Sequence, residues 1–364
     1  MIRSATKSSV YALLLSATVF SAENNGKDNP GKPSTGNADT DWSNLSAQAK
    51  PTPLRPASDG KNTSVQAKAN IKQQAVVSRQ AAQNAKDFYT QYPGHAKAAE
   101  ARKPEVVAGL HGVEDGDDNY EKSVLALAQN YRDNRSNPAS DRLDVALAMD
   151  RLKVSSGAKS KKIVPRTTEW EQMADKLQAE FGDQPQLQSY YAELVRSGDM
   201  FTSKRIATNL LQQKPAPGAK VEAQAMLDRH SLLGRPLALT VTGLDGGAVD
   251  LSKQKGSVTV VFVWAASAGP EVQKMLTRFQ RSIPPGVGIM YLALGGELKK
   301  LSVAPSSQPI RGRTCFVPAA GSKAAVDYLK LRDMPYLYVL NAKGTLSGFG
   351  PVGEFTNLLA LAMR

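Results

Sequence analysis

At 364 residues with 41% hydrophobic residues, the chain has material for two modest cores, and a single cysteine excludes any intramolecular disulfide. The formal charge is +13, yet in the C-terminal region from Arg235, which holds 15 Lys/Arg against 7 Asp/Glu, the basic residues are scattered, with no basic helix and no interleaved aromatics. Nucleic acid is therefore not an expected partner, and at most a weak association with an anionic membrane surface is. Arg3 and Lys7 precede the apolar run Val10 to Leu15, and Ser21-Ala22 offers a cleavage point. This pattern predicts a signal peptide over 1–22 and a periplasmic or secreted protein. The apolar stretch is too short to cross a bilayer, and no cysteine near residue 22 could carry a lipid.

Residues 23–66 are rich in Asn, Gly, Pro, Ser and Asp, which predicts a disordered linker with Trp42 as an isolated aromatic in an exposed tail. From 67 to 231 the sequence favours helices. Val65 to Phe88 has high helix propensity, with Ala82, Ala85, Phe88 and Tyr89 as an apolar stripe. The stretch from Ala85 to Ala101 reads as an aromatic helix end, a Tyr-Pro-Gly turn and an Ala-rich helix, and Ala174 to Leu194 repeats the pattern. Further helices are expected at 120–134, 140–152, 203–211 and 220–232, with a Lys/Ser/Gly linker at 154–164. These hairpins resemble degenerate tetratricopeptide-type repeats, without their regular period of about 34 residues. Such an array serves either as a groove for a partner or as a brace for the domain that follows.

In the C-terminal part, 232–364, Leu239 to Leu251 reads as a strand, a Gly-rich turn and a return strand. Val258 to Val263 and Val287 to Leu294 are continuous apolar runs suited to parallel strands buried on both faces, with Val272, Met275, Leu276 and Phe279 at helical spacing between them. Arg313 to Val317 fits a further strand. Met334-Pro335 then leads into the strand Tyr336 to Leu340, the turn Asn341 to Gly344, a last strand and a closing helix from Glu354.

With Trp264-Ala-Ala-Ser-Ala-Gly-Pro-Glu271 after the first apolar run, this order resembles the thioredoxin-like, or redoxin, superfamily of bacterial envelope thiol-disulfide oxidoreductases. The fold implied is a central mixed sheet flanked by helices, an α/β domain after an all-α helical-hairpin region. Ala268 and Glu271 then occupy the two cysteine positions of the active-site loop. Exchange needs a thiolate of lowered pKa and a resolving thiol, and neither a methyl group nor a carboxylate supplies them. Phe262 stands where many thioredoxins carry a buried acid.

The resemblance implies a groove beside the loop and a cis-proline, lined by Trp264, Ser267, Gly269, Pro270, Met334 and Pro335, that holds an extended peptide or protein segment through main-chain hydrogen bonds. The expected function is a redox-inactive binding or scaffold module without a cofactor. The alternative is a thiol-dependent oxidoreductase or one-cysteine peroxidase using Cys315, which requires an exposed thiol near Arg311 and Arg313. His95, His111 and His230 lie far apart, each without a second ligand at i+3 or i+4, so no metal is expected.

Overall fold

The computed structural model describes residues 36–48, 63–116, 120–161, 167–268, 270–295 and 312–364. The expected signal peptide lies outside these residues, as does most of the expected linker. No helix among the described residues is long and apolar enough to cross a membrane. The chain forms two compact units that divide between Leu187 and Gln188.

The first unit is helical. It contains α1 (Ala38–Gln48), α2 (Thr63–Gln91), α3 (Arg102–Glu114), α4 (Glu121–Asp133), α5 (Ala139–Lys161) and α6 (Thr167–Phe181). Its largest apolar cluster joins Val106, Leu110 and Val113 of α3 to Val124 and Tyr131 of α4 and to Met149 of α5. Each such burial contributes about 1.5–3 kcal/mol. The small residues Ala81, Ala82 and Ala108 form a second cluster where α2 and α3 meet.

Three local expectations are corrected here. Residues 38–48, placed in the linker, form α1, and Trp42 packs on Phe88 with ring centroids 5.5 Å apart. Ala96 to Ala101 do not form a helix: they turn, and α3 starts only at Arg102. The backbone N–H of Lys97 donates to His95 Nδ1, a local bond that competes with the helical ladder. The linker expected at 154–164 is helical to Lys161, since its single glycine costs only about 1 kcal/mol relative to alanine.

The second unit takes in, besides the α/β part, α7 (Pro185–Ser197) from Gln188 onward, α8 (Met200–Gln212) and α9 (Pro217–His230). Asp199 caps α8, its carboxylate accepting from the N–H groups of Phe201 and Thr202. Pro217 opens α9, where its missing N–H costs nothing. A boundary was expected at 231/232, but α9 packs on the sheet through Arg229 and His230, so the compact unit begins earlier.

The strands are β1 (Thr240–Gly243), β2 (Ala248–Asp250), β3 (Thr259–Ala265), β4 (Gly288–Leu294), β5 (Arg313–Val317), β6 (Tyr336–Leu340) and β7 (Leu346–Pro351). The accompanying helices are α10 (Pro270–Ser282), α11 (Ala319–Leu329) and α12 (Phe355–Ala362). The strands form one seven-stranded sheet in the order β2-β1-β5-β4-β3-β6-β7. β3, β4 and β5 run parallel, while the remaining pairs are antiparallel.

Helices cover both faces of the central strands, which is why β3 is buried from Thr259 through Trp264. On one face Phe262 meets Phe279 of α10 at 5.1 Å, and Phe279 meets Phe355 of α12 at 4.9 Å. On the other the Tyr338 hydroxyl donates to the Leu329 carbonyl of α11 at 2.5 Å. Gly348 in β7 lets α12 come close: a Cβ there would sit 3.0 Å from Leu358 Cδ2.

Candidate functional site

The site lies at the C-terminal end of β3. The Ala266 N–H donates to the Leu294 carbonyl at 2.8 Å and the Ala268 N–H to the Ala265 carbonyl at 2.9 Å, so the strand turns at once and α10 starts at Pro270. Ser267 is exposed and Ala268 half-buried; Gly269 lies outside the described residues. Glu271 takes the second position of α10. Trp264 is only 6% exposed, packed between Phe262 and Tyr291 at 6.3 and 6.4 Å, so it reads as a wall of the core more than an open face.

The register Val263↔Tyr336 brings the end of β3 alongside the start of β6, and with it Met334-Pro335. That peptide bond is cis, and Met334 is 39% exposed. Helices α7 and α9 hold the segment from Lys330 to Tyr336. Arg332 donates from Nε and Nη2 to Glu222 Oε1 at 3.1 and 3.0 Å, and Arg196 Nε lies 3.1 Å from Asp333 Oδ2. Arg229, buried, donates to the Tyr336 hydroxyl at 2.8 Å and to the Lys330 carbonyl. Its guanidinium lies 4.7 Å from the Tyr336 ring centroid and 5.5 Å from that of Phe349. Burial raises the Tyr336 phenol, against the lowering pull of Arg229. A small pocket opens among Val195, Arg196, Glu222, Arg229, Asp333 and Tyr336.

The sheet order, the parallel β3-α10-β4 unit, the turn after Trp264 and the proline entering β6 together decide the architecture. The C-terminal domain has the thioredoxin-like fold. The loop that follows β3 carries no cysteine, because the chain has only Cys315.

No protein-family model matches the chain, and no curated protein sequence does. Solved structures do match. The thioredoxin domain of a thiol-disulfide oxidoreductase from Bacteroides vulgatus is 14% identical, with a TM-score of 0.31, over 36% of this chain and 98% of its own. A putative thiol:disulfide interchange protein from Chlorobium tepidum is 17% identical, with a TM-score of 0.28, over 36% of this chain and 96% of its own. The C-terminal domain of a putative thiol-disulfide oxidoreductase from Bacteroides thetaiotaomicron is 9% identical, with a TM-score of 0.30, over 36% of this chain and 95% of its own.

Within this thioredoxin-like domain Cys315 lies on β5, an internal strand, paired with Leu292 on one side and Gly243 on the other, and it is 0% exposed. Burial pushes its thiol pKa up; Arg313 pulls it down and Asp245 adds to the rise. A raised pKa and no access are the opposite of what a reactive thiol needs. The other expected site residues divide. Trp264, Ser267, Met334 and Pro335 gather at one end of the sheet, while Cys315 lies within it, on a strand flanked by β4 and β1. Among the described residues no group of three or more His, Cys, Asp or Glu side chains could hold a metal. The site's most heavily engaged side chain, Arg229, was not anticipated. Its only sequence signal is a cation in the last turn of a helix, and nothing local links it to Tyr336, more than a hundred residues away.

Proposed function

We propose that this protein is an exported, redox-inactive binding module of the cell envelope, in which a thioredoxin-like domain without exchange thiols keeps a groove for an extended peptide segment. The observation that carries this reading is a pairing: the loop after β3 has alanine at 268 and no cysteine, and the one thiol of the chain is sealed inside the sheet with its pKa raised. Dithiol exchange has neither of its groups. Meanwhile Met334 stays accessible beside the loop, on a segment that α7 and α9 hold in place through Arg196, Glu222 and Arg229. An extended chain added there pairs through its backbone, and side chains such as Met334 supply the apolar contact. The basic and apolar start of the sequence supports export.

The test is selection of binders from a displayed library of unstructured hexapeptides by the pure protein, by Met334→Asp and by Met363→Asp. Met363 is 64% exposed at the end of α12 and serves as the control. Enrichment of a common peptide set by the wild type and by Met363→Asp, lost in a folded Met334→Asp, is the expected result. Absence of enrichment, or a Met334→Asp profile equal to wild type, rejects the binding role and leaves an inert scaffold.

A further inference from the structure

Helix α1 docks on the helical unit as a separate piece, and it is held by specific chemistry. Leu45, 4% exposed, packs with Ala85, Phe88 and Ala101, and Trp42 and Tyr92 border the same cluster. Lys97 Nζ lies 5.9 Å from the Trp42 ring centroid, and the Phe88 ring lies 5.5 Å from the same indole. Each of two acidic residues of α1 meets a donor. The Tyr92 hydroxyl donates to Asp41 Oδ2 at 2.9 Å, and His95 Nε2 lies 3.2 Å from Asp39 Oδ1. The Lys97 N–H donates to His95 Nδ1 at 3.1 Å, which leaves Nε2 as the ring nitrogen that donates to Asp39. Asn37 caps the helix, its Oδ1 accepting from the Thr40 N–H at 3.1 Å.

A helix of 11 residues does not persist alone in water, so the folding and docking of α1 are one event. Its apolar anchor is a single buried leucine and a half-buried tryptophan, which leaves the docked state open to exchange. We propose that residues 38–48 are a tethered ligand, and that the surface of Phe88, Tyr92, His95 and Lys97 is a docking site for an acidic, tryptophan-bearing helix, filled here in cis. The site takes the chemistry Asp-x-Asp-Trp-x-x-Leu: carboxylates on the Tyr92 and His95 donors, indole between Phe88 and Lys97, leucine against Ala85 and Ala101. This inference is independent of the groove in the C-terminal domain.

Residues 38–48 and the site belong to one chain, so docking is intramolecular and a free competitor sees a largely occupied site. The experiment uses the full chain, as wild type and as the double variant Trp42→Ala/Leu45→Ala, with a fluorescein-labelled peptide of residues 36–48 followed by anisotropy. The peptide is expected to bind the double variant saturably, and at least tenfold more tightly than it binds wild type. A Trp42→Ala peptide is expected not to bind, and adding His95→Ala or Lys97→Ala to the double variant weakens binding severalfold while helical circular dichroism is kept. No binding to the double variant, equal binding to both proteins, or indifference to His95 and Lys97 overturns the proposal. A wild-type dimer by light scattering that the double variant loses overturns the cis arrangement and places α1 on a second copy.

Discussion

The Arg229 guanidinium lies 4.7 Å from the centroid of the Tyr336 ring and donates to that tyrosine's hydroxyl at 2.8 Å. The same side chain donates to the Lys330 carbonyl, so one residue of α9 grips both ends of the segment that carries Met334-Pro335. It is 3% exposed, and aromatic faces take the place of a carboxylate beside it. The helices that lead into the α/β domain are thereby part of the site's support. Arg229→Ala leaves a buried hydroxyl and a part-buried carbonyl without this donor, at a cost of about 2–4 kcal/mol. Arg229→Lys recovers less than half of it, because an ammonium lacks the rigid planar fork that meets both acceptors at once and the flat face that stacks on Tyr336 and Phe349. Urea unfolding followed by tryptophan fluorescence checks both variants; an Arg229→Ala protein as stable as wild type removes the clamp from the account.

Acid sensitivity follows from two histidines. His111 is held down to about 4 because burial disfavours the charged ring, with Arg151 adding repulsion and Glu114 opposing it. In the unfolded chain histidine titrates near 6.5, so as pH falls the unfolded state takes up the proton first. The stability present above pH 6.5 is lost progressively toward pH 4 and levels off below. His230 shifts in the same direction, mainly through burial, with its Nε2 2.7 Å from the Met200 carbonyl oxygen. Urea titrations at pH 7, 6, 5 and 4.5 are expected to show a shallower pH dependence for His111→Gln than for wild type, and parallel profiles would contradict the assignment.

Cys315 is expected to resist chemistry in the folded state. A thiol reagent at pH 8 should label it at least a hundredfold more slowly in the native protein than in 6 M guanidinium, since reaction waits for an opening of the sheet. Rapid native labelling, or peroxide consumption abolished by Cys315→Ala, would favour the one-cysteine enzyme instead.

Gly344 closes the hairpin between β6 and β7 with φ +81, and a Cβ there would lie 2.4 Å from the Gln254 carbonyl oxygen. Gly344→Ala therefore carries both backbone strain and a clash with main chain, and should cost about 2 kcal/mol or more. Asn341→Ala is expected to cost less, about 1 kcal/mol, through loss of the bonds its Oδ1 accepts from Lys343 and Thr345. Thermal melts of the two variants give the order directly.

What the sequence made legible was local or doubly buried. Val258 to Val263 and Val287 to Leu294 reveal β3 and β4 because a parallel strand with helices on both faces must be apolar throughout. Asn341 to Gly344 announces its hairpin through turn chemistry. The loop after Trp264 could be placed by its order among these strands. Other features depended on partners remote in the chain. Leu45 and Trp42 look like strays in a polar tail until Phe88 receives them, and Arg229 looks like an ordinary helix-end cation until Tyr336 and Phe349 surround it. Helix α11 was not anticipated, although Pro318 before an Ala-rich run is a fair start signal.

Dithiothreitol-dependent reduction of insulin by the pure protein, run beside an active thiol-disulfide oxidoreductase, tests the central claim most directly. With Ala268 in the loop and Cys315 sealed on β5, the rate should equal that of dithiothreitol alone for wild type and for Cys315→Ser. Turnover clearly above that background, whether or not Cys315→Ser removes it, would contradict the proposal that this domain is a redox-inactive binding module.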